Sequence, residues 1–295
     1  MRHNRNMRRI LIVGCGDIAM RIAPFLAGNY RLYGLVRRKE RYATLRTAGI
    51  TPVSGDLDQA HSLGRIAGMA DIVLHFAPPA GEGKSDTRTR HLLAALAHGK
   101  LPRHMIYLST SGVYGDCGGD IVSETHPLHP QTARAQRRLD AERQIRGWAQ
   151  RNRVCASILR VPGIYAADRL PLERLKQGTP AIIASEDNYT NHIHADDLAR
   201  IVVAALRHGS PNRVYHASDD SELKMGDYFD AVADAHKLPH APRLPRLEVK
   251  HTVSPMLWSF MNESRKLTNA RMKQELKVTL RYPTVATMLS ENREP

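Results

Sequence analysis

Gly14-Cys15-Gly16-Asp17-Ile18-Ala19 stands between the apolar run Ile10–Val13 and a segment with Ile18, Ile22, Phe25 and Leu26 at helical spacing. Two glycines one residue apart at a strand-to-helix turn suit the holding of a pyrophosphate. The first permits the tight turn, the second lets backbone N–H groups approach the phosphates, and Ala19 allows close helix–strand packing. Asp17 and Ile18 open the helix, whose N-terminus adds positive potential. The next strand, "YRLYGLV", ends in Arg37 and Arg38. An acidic residue there would hold a ribose 2′-hydroxyl, whereas two guanidiniums suit a 2′-phosphate, so NADP is expected, with NAD as the alternative. Pro24 lies inside the first helix, where it costs a hydrogen bond.

A second cluster, "HIHADD" (192–197), imitates a metal-ligand pattern, because alternate histidines on a strand share a face. Its position late in a dinucleotide-binding chain favours a strand running into a helix capped by Asp196 and Asp197, and no metal is expected. Cys15, Cys117 and Cys155 have no Cys-x-x-Cys spacing, so neither a disulfide framework nor a zinc site is indicated.

These residues need elements to position them. Apolar strand-like runs alternate with helical patterns as far as residue 160: "DIVLHFA" (71–77), "TRTRHLLAALAHG" (87–99), "HMIYLST" (104–110), a helix over 131–150 and "VCASILR" (154–160). Such alternation predicts an α/β fold, a doubly wound parallel sheet covered on both faces. Residues 1–7 read as a disordered basic arm, 8–165 as the dinucleotide-binding domain, and 166–295 as mainly a smaller carboxy-terminal α/β substrate lobe, with 191–217 returning to the sheet. No run approaches the roughly 20 apolar residues of a membrane helix, and a cytoplasmic protein is expected. The net charge of +14 is densest at 1–9, 134–153 and 237–250. Without interleaved aromatics this excess reads as solvated surface, and a nucleic-acid partner is not expected.

The chain resembles the short-chain dehydrogenase/reductase superfamily in its extended, nucleoside-diphosphate-sugar epimerase branch. The resemblance rests on "GCGDIA", "VSGDLDQAHSL" (53–63), "LSTSGVYGD" (108–116), "LRVPGIYAADR" (159–169), "NHIHADDLARIVVAAL" (191–206) and "VYHASDD" (214–220), in that order. It covers about residues 8–290 and implies a Rossmann-type domain carrying NAD(P), with a substrate cleft roofed by the smaller lobe. It places Asp56 by the adenine and Ala77 along the cofactor. Thr110, flanked by Ser109 and Ser111, takes the position of the family's catalytic serine or threonine. Pro162, Gly163 and Tyr165 match the segment beside the nicotinamide.

The departure lies in the following helix. The family has Tyr-x-x-x-Lys with a glutamate four residues on. With Glu142 as that glutamate, the lysine position falls on Arg138 and the tyrosine position on Arg134. No tyrosine lies between Tyr114 and Tyr165, and no lysine between Lys100 and Lys176. Arginine stays protonated and cannot shuttle a proton. The resemblance is therefore to atypical members. Arg138 is expected to hold the nicotinamide ribose, Arg134 faces either a ligand anion or solvent, and Tyr165 is the better-placed proton donor because Tyr114 packs beneath its loop. The expected function is an NAD(P)-binding oxidoreductase or epimerase acting on a small-molecule substrate such as a nucleotide sugar, as a monomer or homodimer. A non-catalytic NADP-binding redox sensor or scaffold is the alternative.

Overall fold

The computed structural model describes residues 7–291, so all of the expected basic arm except Met7 lies outside the described residues. Seven parallel strands form the main sheet. β1 (Arg8–Val13), β2 (Tyr30–Val36), β3 (Ile50–Ser54), β4 (Ile72–His75) and β5 (His104–Thr110) come first in the chain. β6 (Ile121–Val122) pairs outside the sheet with Lys266–Leu267, and β7 (Cys155–Val161) returns to it. Across the sheet the order is Arg213–His216, β7, β5, β4, β1, β2, β3. The strands are apolar almost throughout because both faces are covered.

On one face α1 (Asp17–Leu26) packs with the Ala195–His208 helix over Ile10, Ile12 and Leu159. On the other, α3 (Thr87–Ala97) and α4 (Ala133–Asn152) cover Leu11, Val73 and Tyr107. The short α2 (Tyr42–Thr47) lies between β2 and β3. Asp86 caps α3 by accepting from the N–H groups of Arg88 and Thr89, and Thr132 caps α4 through Ala135. Such caps are each worth about 1 kcal/mol.

Phe25 does not join the core. The helix turns it outward, 43% exposed, while Ile18, Ile22 and Leu26 are buried. The Ala195–His208 helix is capped by His194, whose Nδ1 accepts from the Asp196 N–H, and not by the two aspartates. Asp197 instead accepts from the backbone N–H groups of Arg281 and Tyr282, a distant segment that local patterning could not reveal.

The carboxy-terminal portion has its own apolar clusters, one around Tyr165, Phe229, Val232 and Val285 and another around Ile182, Val249, Leu257 and Met261. Short strand pairs, including Gly163–Tyr165 with His192–His194, tie it to the ends of the main sheet. No helix among the described residues is long and apolar enough to cross a membrane.

Candidate functional site

The strand order reverses at β1 and β4, and the crevice beyond their carboxyl ends is where doubly wound sheets bind ligands. Gly14 ends β1 there with φ +99°, and a Cβ on it would stand 2.3 Å from the Ala77 nitrogen. Backbone conformation and the close approach of the Phe76–Ala77 backbone therefore both demand glycine. Gly16, the N-cap of α1, differs: a Cβ there would meet nothing within 4 Å. It borders a groove of about 520 Å³ lined by Gly14, Cys15, Asp17 and Ile18 at one end and Thr110, Arg138 and Pro162 at the other. An uncluttered backbone opening a helix at the switch point fits a dinucleotide pyrophosphate. The Cys15 thiol faces the carbonyls of Ile12 and Leu35, and burial pushes its pKa up to about 12, so it is structural.

Arg37 and Arg38 follow the end of β2 and are exposed. A third guanidinium joins them: Arg41 Nη2 donates to the Cys15 carbonyl at 3.0 Å, bringing positive charge over the glycine turn. The sequence pattern stops at the strand end and does not reveal this reach back. Asp56 is half-buried beyond β3, where its Oδ1 accepts from the Asp58 N–H. Ala77 is buried, its N–H bonded to the Val13 carbonyl.

Arg138 extends beneath the ends of β4 and β5. Its Nη1 donates to the Leu108 carbonyl at 2.8 Å and to the Tyr107 hydroxyl at 3.1 Å, so it borders the groove from a fixed position. Arg134 lies one turn earlier on the same face, with its guanidinium 4.2 Å from the centre of the Phe260 ring. Arg138 is half-buried, whereas Arg134 is exposed where it borders the groove and the adjoining space. Arg137 and Arg146 also donate inward, to the carbonyls of Gly83 and Asn212.

Beside the groove lies a cavity of about 810 Å³ between β5, the 162–174 segment and the Pro255–Met261 helix. Thr110, Arg134, Pro162, Ile164, Arg169 and Phe260 line both spaces and form their junction. The Thr110 hydroxyl oxygen accepts from the Gly112 N–H at 3.2 Å and retains its own proton for a ligand. Ser111 is buried at the cavity wall. Ser109 is already engaged, donating to Glu142 Oε1 at 2.5 Å. Arg169 reaches across to Asp17 at 3.0 Å, and Arg21 bonds Asp17, Asp168 and Asp196, which neutralises carboxylates around the glycine turn.

Beneath the junction, Arg160 forms a bidentate pair with Glu142 and donates to the Tyr114 hydroxyl at 2.7 Å. Tyr114 is buried as expected, its hydroxyl 2.5 Å from His216 Nε2. Burial drives the His216 imidazolium pKa down to about 3, so the ring is neutral. The Tyr114 hydroxyl then accepts from Arg160 and donates to Nε2, and Nδ1–H donates to the Thr268 carbonyl.

Tyr165 lines the cavity, but its hydroxyl is buried and turned to the Asp219 carboxylate. Burial, then the Asp219 and Asp197 carboxylates, push its pKa well above the usual phenol value. A phenol so placed holds its proton, which opposes the expectation that it exchanges one with substrate. His192 and His194 are buried against the Tyr228 and Tyr282 rings. Among the described residues, no three His, Cys, Asp or Glu side chains gather as a metal site would require.

A family model described as "NAD dependent epimerase/dehydratase family" matches residues 10–218. A dTDP-D-glucose 4,6-dehydratase of Homo sapiens is 22% identical over 248 residues, covering 74% of this chain and 71% of that protein. A solved structure of a conserved Silicibacter pomeroyi protein of unknown function is 27% identical, with TM-score 0.79 over 97% of this chain and 98% of that one. The structure of DesIV, a dTDP-glucose 4,6-dehydratase from Streptomyces venezuelae with NAD and TYD bound, superposes with TM-score 0.75 at 19% identity, over 97% of this chain and 95% of that one.

Proposed function

Since the chain belongs to the NAD dependent epimerase/dehydratase family, we propose that it binds NADP(H) along the groove and exchanges a hydride with a small polar substrate in the adjoining cavity. The observation that carries this reading is the shared junction: six residues line both spaces, so a nicotinamide at the end of the groove meets a substrate in the cavity. Relatives named for dTDP-glucose support a nucleotide sugar as substrate. Arg37 and Arg38 after β2, with Arg41 over the glycine turn, support NADP over NAD.

The bound dinucleotide would supply the hydride and nothing else. Gly14, Gly16 and the α1 N-terminus hold its pyrophosphate, and Arg138 borders the position of its nicotinamide ribose. The Thr110 hydroxyl, backed by Ser111, donates to the reacting oxygen. No tyrosine–lysine pair adjoins that oxygen and Tyr165 holds its proton, so proton exchange falls to water entering the cavity. A missing general acid/base lowers the rate about 10²- to 10⁴-fold, and slow turnover is expected.

The same lack of an acid/base favours a second reading, a protein that binds NADP and reports its redox state without turnover. The test is purified protein titrated with NADPH and NADH, then incubated with nucleotide sugars and simple carbonyl compounds while dinucleotide absorbance is followed. Tighter NADPH binding with slow oxidation by a member of the panel supports the enzyme. Binding with no turnover across the panel supports the sensor, and no binding of either dinucleotide refutes both.

A further inference from the structure

We propose that Arg134 anchors a carboxylate, so that the substrate is a hydroxy or oxo acid. This rests on the oxidoreductase reading above. The first observation is a contrast among the guanidiniums bordering the junction. Arg138 is bonded to the Leu108 carbonyl and Arg169 to Asp17, whereas Arg134 donates no hydrogen bond among the described residues. Glu263, the carboxylate nearest to it electrostatically, is already paired with Arg265 at 2.8 Å. Arg134 is thus a free cation between the groove and the cavity.

The second observation is how it is held. Its Cζ lies 4.2 Å from the Phe260 ring centre. A guanidinium resting on a ring keeps its donors free at its edge, a fork that matches the two oxygens of a carboxylate. Arg134 and Phe260 are both exposed, so the guanidinium is open to a ligand entering from the groove or the cavity.

The third observation sets the spacing. A Cβ on Gly112 would lie 3.5 Å from the Thr110 hydroxyl oxygen and 3.8 Å from the Ala135 Cβ. The end of β5 and the first turn of α4 are therefore separated by about one residue's breadth. Thr110 and Arg134 both line the cavity, so one ligand can meet the hydroxyl and the guanidinium together. The cavity, at about 810 Å³, has room for a sugar acid.

The experiment measures binding of D-glucuronate, D-glucose and D-glucose 6-phosphate by saturation-transfer NMR, with and without NADPH. The proteins are the wild type, Arg134→Gln, Arg134→Lys and Phe260→Leu, and circular dichroism verifies folding of each. The expected result is a preference for glucuronate over glucose of about tenfold or more, the usual scale of a charge-assisted pair. The preference should vanish in R134Q, persist in part in R134K and weaken in F260L. Equal binding of glucuronate and glucose overturns the proposal, as does a preference that survives in R134Q or one that favours the phosphate. NADPH affinity is read separately in the wild type. Its absence refutes the dinucleotide reading, while the carboxylate preference is still judged from the titrations without cofactor.

Discussion

Glu142→Gln tests whether the charged pair under the junction holds the Thr110 strand in place. Glu142 accepts from Arg160 Nη2 at 2.8 Å, from Arg160 Nε at 3.1 Å and from the Ser109 hydroxyl at 2.5 Å. The two charged side chains are only 1% and 3% exposed. Glutamine keeps the shape and one acceptor oxygen but leaves the buried Arg160 cation without its counterion. Removing one partner of such a pair costs about 3–5 kcal/mol, because the remaining charge has no water to return to. Glutamine retains part of the hydrogen bonding, so the lower end, about 3 kcal/mol, is expected. At roughly 2–4 °C per kcal/mol for a chain of this size, the melting midpoint should fall by about 6–12 °C. Urea unfolding of the wild type, E142Q, Glu142→Leu, Arg160→Met and the Glu142→Leu/Arg160→Met double variant measures both the cost and the coupling. The double variant should be less destabilised than E142Q, since it removes both charges. A loss in E142Q below about 1 kcal/mol, or a double variant as unstable as the sum of its singles, would refute the reasoning.

Three further outcomes follow from other parts of the site. Burial raises the Asp219 carboxyl from 3.8 to about 7, so the folded state binds an extra proton between those values. Stability is then fully present below the unfolded value and is lost as pH rises through 7. The difference amounts to about 4 kcal/mol at about 1.36 per unit, as an order of magnitude. In urea titrations, Asp219→Asn should remove that component between pH 4 and pH 8, and a pH profile parallel to wild type would exclude it. Gly14→Ala places a methyl 2.3 Å from the Ala77 nitrogen; it should destabilise by at least about 1–3 kcal/mol and abolish dinucleotide binding, and unchanged calorimetric affinity would contradict the fit. Replacing Arg37 and Arg38 together by serine should weaken NADPH binding about tenfold and spare NADH. Equal losses for both dinucleotides would show that the pair does not read the 2′-phosphate.

How far the sequence discloses this molecule depends on the range of the interaction. Strands such as "RRILIVG" and "HMIYLST" and the glycine turn are written in consecutive residues, and the sheet follows from their alternation with helices. The i, i+4 spacing of Arg134 and Arg138 puts both on one face of α4. Local pattern leaves open whether that face meets solvent or the groove, since the answer depends on β4, β5 and Phe260. Arg41, Arg169 and Phe260 reach the site from separate segments, and no period in the chain marks them. Phe25 shows the converse, because it shares the helical spacing of Ile18, Ile22 and Leu26 yet lies in solvent. The buried pairing of the Tyr165 hydroxyl with the Asp219 carboxylate also becomes visible only when two distant segments pack together.

The central claim is that the turn between β1 and α1 holds a dinucleotide. Calorimetric titration of NADPH into the wild type and into Gly16→Val tests it directly, because the valine would project into open groove without disturbing the sheet. Saturable one-to-one binding in the wild type and its loss in a folded G16V are predicted. A wild type that takes up no dinucleotide at millimolar concentration, or a G16V protein that binds as well, would contradict the account.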